Sequence, residues 1–254
     1  MALDVDRESH FLEFPDGTRR RLAVDSAFLH KVQRRHFLLY DALPLVGTLG
    51  ALALLPFHPI GAVEISLAVV MWLLTGVGIT VGFHRLFAHR SFKTTSAVRV
   101  ALTIFGCMAG RGPMISWAAM HRRHHERADR EGDMHSPNMH GTRFGDRVRG
   151  FVHAHLTWMA KHEYPNVNHY VPDLIGDKPV LRANRRYGTW VVLGLVGPAV
   201  VGGLLTQSLM GALTTFLWAG VVRMFVVEQS MSALNSFLHV MGRRRFHLGR
   251  DNSR

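Results

Sequence analysis

Two long stretches of the chain hold no lysine or arginine. One runs from His36 to His84 and the other from Tyr187 to Val222. Each is apolar and about twice the length of one membrane span, which needs about 20 residues. Each therefore predicts a helical hairpin that enters and leaves a bilayer. The first divides at Pro56-Phe57-His58-Pro59, giving spans near 37–55 and 62–82. The second divides at Thr206-Gln207-Ser208, giving spans near 189–205 and 209–227. The pattern predicts an all-α membrane protein of four transmembrane helices. Its expected organisation is an N-terminal segment (1–36), a first hairpin (37–83), a cap (84–187), a second hairpin (188–228) and a C-terminal segment (229–254).

Charge sets the expected orientation. The 254 residues include 30 Lys and Arg against 18 Asp and Glu, a formal charge of +12. Neither outer turn carries a basic residue. By the positive-inside rule the N terminus, the cap and the C terminus face the cytoplasm. Basic residues beside membrane spans meet anionic headgroups, and no nucleic-acid-binding motif is visible, so the reading includes the lipid bilayer and no nucleic acid. Residues 1–35 lack the apolar core of a signal peptide, and the first span is expected to act as the targeting signal. Asp41 and Glu64 are expected to reach headgroups from span ends, and Arg223 to snorkel. Pro44 and Pro198 are tolerable in lipid-buried helices. Val100–Gly110 is too short to span, and Gly110-Arg-Gly-Pro113 reads as a helix break.

The candidate chemistry lies in histidine. Of 17 histidines, eleven fall between residues 84 and 169. Two groups have ligand spacing. His84 and His89 form HxxxxH at the end of the second span. His121, His124 and His125 form HxxHH on an expected helix. At about 100° per residue the last three share one face, whereas His84 and His89 lie about 140° apart and flank a site. Neutral imidazole ligates iron, zinc and other transition metals. Five imidazoles exceed one tetrahedral zinc site. They suggest two metals, or one with ligands to spare. Neither HExxH nor the ExxH of soluble di-iron bundles occurs. The single cysteine, Cys107, excludes disulfide frameworks, Cys-rich zinc sites and iron–sulfur clusters.

These residues carry a resemblance. Gly78-Ile-Thr-Val-Gly-Phe-His84-Arg-Leu-Phe-Ala-His89, followed by Trp117-Ala-Ala-Met-His121-Arg-Arg-His124-His125, resembles the membrane fatty-acyl desaturases of the Δ9 acyl-CoA (stearoyl-CoA-like) type. Asp129 through Asp133-Met-His135-Ser136-Pro137, Phe151-Val-His-Ala-His-Leu-Thr-Trp158 and Asn235-Ser-Phe-Leu-His239-Val-Met-Gly242 are similar to later elements of that family. The resemblance runs from about residue 35 to the end. It implies four membrane helices under a cytoplasmic helical cap that holds a histidine-rich di-iron site. It implies iron ligands, and so catalytic residues, at His84, His89, His121, His124, His125 and His239, with Asn235 acting through water. It implies two Fe ions, O2 as co-substrate and a fatty acyl-CoA or acyl-lipid substrate, which gains a cis double bond at the Δ9 position. Two external electrons are then needed. The chain has no GxGxxG or CxxCH motif, so an electron donor is expected: a ferredoxin-like or small haem protein with its NAD(P)H reductase.

The family pattern includes a third HxxHH box, and this sequence ends at Asp251-Asn-Ser-Arg254 without it. The sequence is therefore expected to be a shortened version of a longer desaturase. The alternatives are an inactive protein, or completion of the site by His135, His153, His155 or His162. Other activities compatible with the boxes are a membrane di-iron hydroxylase and a non-catalytic metal-binding membrane protein. Trp117 and Trp158 are read first as interface or core residues, with a tunnel lining as the alternative. Asp129 and Asp133 either orient ligand imidazoles or lie in a solvated loop. Arg85, Arg90 and Lys93 meet coenzyme A phosphates or lipid headgroups.

Overall fold

The computed structural model describes residues 11–13, 19–160 and 162–241. Gly242, His247 and the stretch 251–254 lie outside the described residues. Four helices are long and apolar enough to cross a membrane: α1 (Ala27–Leu54), α2 (Ala62–Ala88), α7 (Tyr187–Thr206) and α8 (Leu209–Val240). Between α2 and α7 lie α3 (Ser96–Met108), α4 (Met114–Arg127), α5 (Phe144–His155) and α6 (Lys178–Arg185). The turns near Pro56 and Gln207 fall where the apolar pattern broke. Gln207 takes a left-handed conformation, φ 50°, and the Ser208 side chain caps α8.

Three helices extend well past their expected spans, α2 by six residues to Ala88. The apolar part of α1 is preceded by a polar run from Ala27, capped by Ser26. At 1.5 Å per residue, the 32-residue α8 is about 48 Å long, well beyond a hydrocarbon core of about 30 Å. It carries Asn235 and His239 out of the bilayer without a break. Of two antiparallel pairs of short strands, one lies within the N-terminal segment and the other joins that segment to the cap. β1 (Phe11–Glu13) pairs with β2 (Arg19–Arg21), and β3 (Ala23–Val24) pairs with β4 (Tyr164–Pro165).

The three charges that sit awkwardly in the spans do not reach headgroups. Asp41 is buried and accepts from Arg111 at 2.7 Å. Glu64 is buried and accepts the Thr214 hydroxyl at 2.8 Å, pinning the start of α2 to α8. Arg223 is buried and donates to the carbonyls of Ala219, Met108 and Gly194 at 3.2, 2.8 and 3.0 Å. An ionised group in a membrane helix needs a partner inside the bundle, and each of these has one.

Helix α3 is short, yet it sits in the bundle between α2 and α7. Its contact with α2 is glycine on glycine. A Cβ on Gly78 would lie 2.2 Å from the Gly106 amide nitrogen, so the two backbones touch. Behind α3 the chain turns through Gly110 and Gly112, φ 77° and 91°, as the glycine-proline break predicted. Helix α4 then starts at Met114 and carries the second histidine box.

Candidate metal centre

The last eleven residues of α2, Gly78–Ala88, wind as a π-helix. The backbone N–H of His89 closes it on the His84 carbonyl at 2.9 Å. This overturns the expectation that the pair lies about 140° apart, which assumed α-helical pitch. Wider winding brings residues five apart onto one side. The two Nε2 atoms are 3.0 Å apart. Such π segments occur often at functional sites.

From α4, His121 completes the group. Its Nε2 lies 3.0 Å from that of His89 and 3.0 Å from that of His125. Four imidazole nitrogens from two helices thus converge within 4.8 Å of one another. At this spacing neutral rings can hydrogen-bond to one another, and their lone pairs can equally share one ion. Convergence of neutral nitrogens is the donor arrangement of a metal site, and these residues fit one. Burial, joined by the neighbouring imidazoles, holds His121 well below the usual histidine range, in the neutral ligand form.

The HxxHH box does not act as a single face. His121 and His125 turn to the first cluster, and His124 turns to a second with Asp133 and His135. Its ring lies 4.1 Å from that of His135 and 5.4 Å from that of His239. His124 Nδ1 is 2.9 Å from Asp133 Oδ1. His239 Nδ1 is 3.6 Å from Asp129 Oδ1. Each carboxylate takes one side of a ring and leaves Nε2 for another partner, the arrangement common around ligand histidines. Burial alone would raise Asp129, but the His239 ring 3.6 Å away, with hydrogen bonding from Ser136 and Asn138, brings it down to about 2. Burial raises Asp133 too, and is outweighed by His124. Burial, with a contribution from His124, pushes His135 down to about 3. The His135 Nδ1 is buried with no hydrogen-bond partner among the described residues.

Both clusters line one cavity of about 480 Å³. Its other walls include Ile79 and Thr80 of α2, Arg111, Trp117, Met120 and Trp158, and Met231, Leu234, Asn235 and Leu238 of α8. Asn235 lies one turn before His239 and shares its face. Both tryptophans are wall residues rather than lipid anchors. Trp117 stacks on His121 at 4.9 Å, and Trp158 lies 5.1 Å from His135.

Of the spare histidines, only His135 joins a cluster. His153 reaches the Met134 carbonyl, His155 bridges Ser236 and Gln229, and His162 meets Glu163. Arg90 pairs with Asp173 at 2.9 Å, while Arg85 and Lys93 are exposed.

Arg122, inside the second box, had no role in the sequence reading. Its guanidinium donates to the Phe87 and Ala88 carbonyls at the end of α2, to the Tyr170 carbonyl and to both Asp173 oxygens. It fixes the end of α2 against α4, and so one histidine box against the other. Spacing alone held no signal for it.

No protein-family model matches the chain. Curated relatives do. The chain is 44% identical, over an alignment of 256 residues covering all of it, to a hex-5-enoyl-[acyl-carrier protein] acetylenase of Moorena producens. The alignment spans 78% of that relative. The chain is 30% identical over 190 residues, 74% of its length, to an sn-1 stearoyl-lipid 9-desaturase of Anabaena variabilis. It is 29% identical over 216 residues, 83% of its length, to acyl-CoA desaturase 1 of Saccharomyces cerevisiae. The chain belongs to the membrane fatty acid desaturase family. Members are oxidoreductases that act on fatty acyl chains. The chain spans 62% of the Anabaena desaturase and 39% of the yeast one. Membership accords with the four apolar helices and makes this desaturase relative an integral, multi-pass membrane protein.

Proposed function

We propose that this desaturase-family protein removes hydrogen from adjacent carbons of a short acyl chain carried as a thioester. The product gains a double bond, or a triple bond where one double bond is already present. The observation that carries this reading is the meeting of two histidine clusters on one largely apolar cavity. The acetylenase name of the Moorena relative, with its six-carbon hexenoyl group, favours a short chain and the triple bond over the Δ9 double bond.

His84, His89, His121 and His125 would hold one iron. His124 and His239, with His135, would hold a second, and Asn235 would act through water. Two bound irons would supply O2 activation and hydrogen removal. The chain's own residues do the rest. Asp129 and Asp133 hold His239 and His124 in orientation. Trp117 backs His121. Ile79, Leu234 and Leu238 offer the chain an apolar wall and exclude water from it. The acyl chain yields two electrons and two protons per step, and reduction of O2 to two waters takes two further electrons and protons from outside. A donor, ferredoxin-like or a small haem protein, would dock on the basic side, which the charge pattern assigns to the cytoplasm with both termini.

The test is product analysis by mass spectrometry, with hexanoyl and hexenoyl thioesters, O2, reduced ferredoxin and metal-loaded full chain. Loss of two hydrogens is expected. A hydroxylated product identifies a hydroxylase instead. Tight metal binding without O2 consumption identifies a structural metal site.

A further inference from the structure

Of the described residues that line the cavity, one besides the histidines carries an ionisable side chain: Arg111. The Arg111 Nη1 is 2.7 Å from Asp41 Oδ1 and 3.6 Å from Glu228 Oε1, and Nη2 faces the Met159 sulfur at 3.3 Å. Side-chain exposure is 9%, 2% and 2% for Arg111, Asp41 and Glu228. The three come from separate elements: Asp41 from α1, Arg111 from the link before α4, Glu228 from α8. Glu228 is held further by the Ser232 hydroxyl at 3.2 Å and the Gln229 amide at 3.1 Å.

The position along α8 fixes where this group stands. Glu228 precedes Asn235 by two turns, about 10 Å of helix axis, and His239 by about 16 Å. The wall residues Met231 and Leu234 lie between. The charged group therefore stands at the end remote from His239. Two carboxylates already face the one guanidinium, so Arg111 is not free to receive an anionic substrate group.

We propose that Arg111, held from behind by the buried Asp41 and Glu228, forms a polar end wall that sets the longest acyl chain this cavity accepts. The proposal rests on the acyl reading above and deepens it. An apolar tunnel rewards each added methylene that leaves water. Here a chain long enough to pass the wall must part a buried ion pair and leave its members without compensation. Affinity should rise with length until the chain end meets Arg111, then fall.

The test uses full-length, iron-loaded protein and acyl-pantetheine thioesters of even length from hexanoyl to stearoyl, with binding measured by competition. Past a limiting length, affinity is expected to fall by about tenfold or more. A second series carries a terminal hydroxyl. At the limiting length the hydroxyl-ended chain is expected to bind at least as tightly as the methyl-ended one. An apolar wall would instead weaken it by about tenfold or more. In the combined variant Asp41→Leu, Arg111→Met, Glu228→Met, the limit should move to longer chains and the methyl end should regain its advantage. The hydroxyl comparison needs only wild-type protein, so it stands if this variant does not fold. Equal binding of all lengths, or preference for the methyl end throughout, overturns the wall alone. Failure of every thioester to bind overturns the acyl reading and the wall with it.

Discussion

The backbone N–H of His89 donates to the carbonyl of His84, and across that five-residue turn their Nε2 atoms stand 3.0 Å apart. An α-helix would carry the second ring to another face. The π winding of Gly78–Ala88 turns a sequence pair into a spatial pair. It begins at Gly78, where α2 lies directly on the Gly106 backbone of α3.

That contact predicts the effect of a single methyl. In Gly78→Ala the new Cβ meets backbone atoms at 2.2 and 2.4 Å, which only a shift of α2 or α3 relieves. Overpacking of this kind costs about 1–3 kcal/mol. Because α2 carries His84 and His89, metal affinity should fall along with stability. Denaturant unfolding in detergent and a chelator competition measure the two.

Asp133 orients His124 without belonging to the first cluster. Asp133→Asn keeps the size of the side chain and removes its charge. Loss of such a partner typically weakens metal binding by 10–100-fold. One class of bound metal should weaken by about that factor, and the class held by His84, His89, His121 and His125 should not. A two-site metal titration separates them.

Glu64 and Thr214 join α2 to α8 through one buried hydrogen bond. Thr214→Val keeps the shape and leaves the carboxyl short of a partner. The expected loss is about 1–3 kcal/mol, read from denaturant unfolding. Glu64→Gln together with Thr214→Val should recover part of it.

The Arg122 clamp predicts a response to acid. Burial raises Asp173, but Arg122 and Arg90 outweigh it and hold the carboxyl below its usual value. A depressed carboxylate contributes stability above its unfolded-state value, near pH 4. That contribution is lost as pH falls through the folded-state value. Wild-type protein should therefore lose more thermal stability than Asp173→Asn as pH drops below about 4. Equal losses would show that the clamp does not depend on this charge.

Much of the architecture was legible along the chain. Gaps in basic residues located four helices, the apolar pattern placed their turns, and glycine with proline marked the break before Met114. These features follow from transfer of apolar residues to lipid and from local backbone preference, which neighbours in sequence decide. The histidine spacings stood out along the chain as candidate ligands, and the family resemblance added Asn235 and His239, one helical turn apart.

Tertiary structure decided what depends on contact between distant residues. Helical pitch was one such property, since packing on Gly106 accompanies the wider winding that pairs His84 with His89. It divided the HxxHH box between two clusters and chose His135 over His153, His155 and His162. It also paired Asp41 with Arg111, Glu64 with Thr214 and Arg223 with three carbonyls, where the sequence suggested reach to headgroups. A buried charge takes its partner from whichever helix lies beside it, and no pattern along a single helix specifies that neighbour.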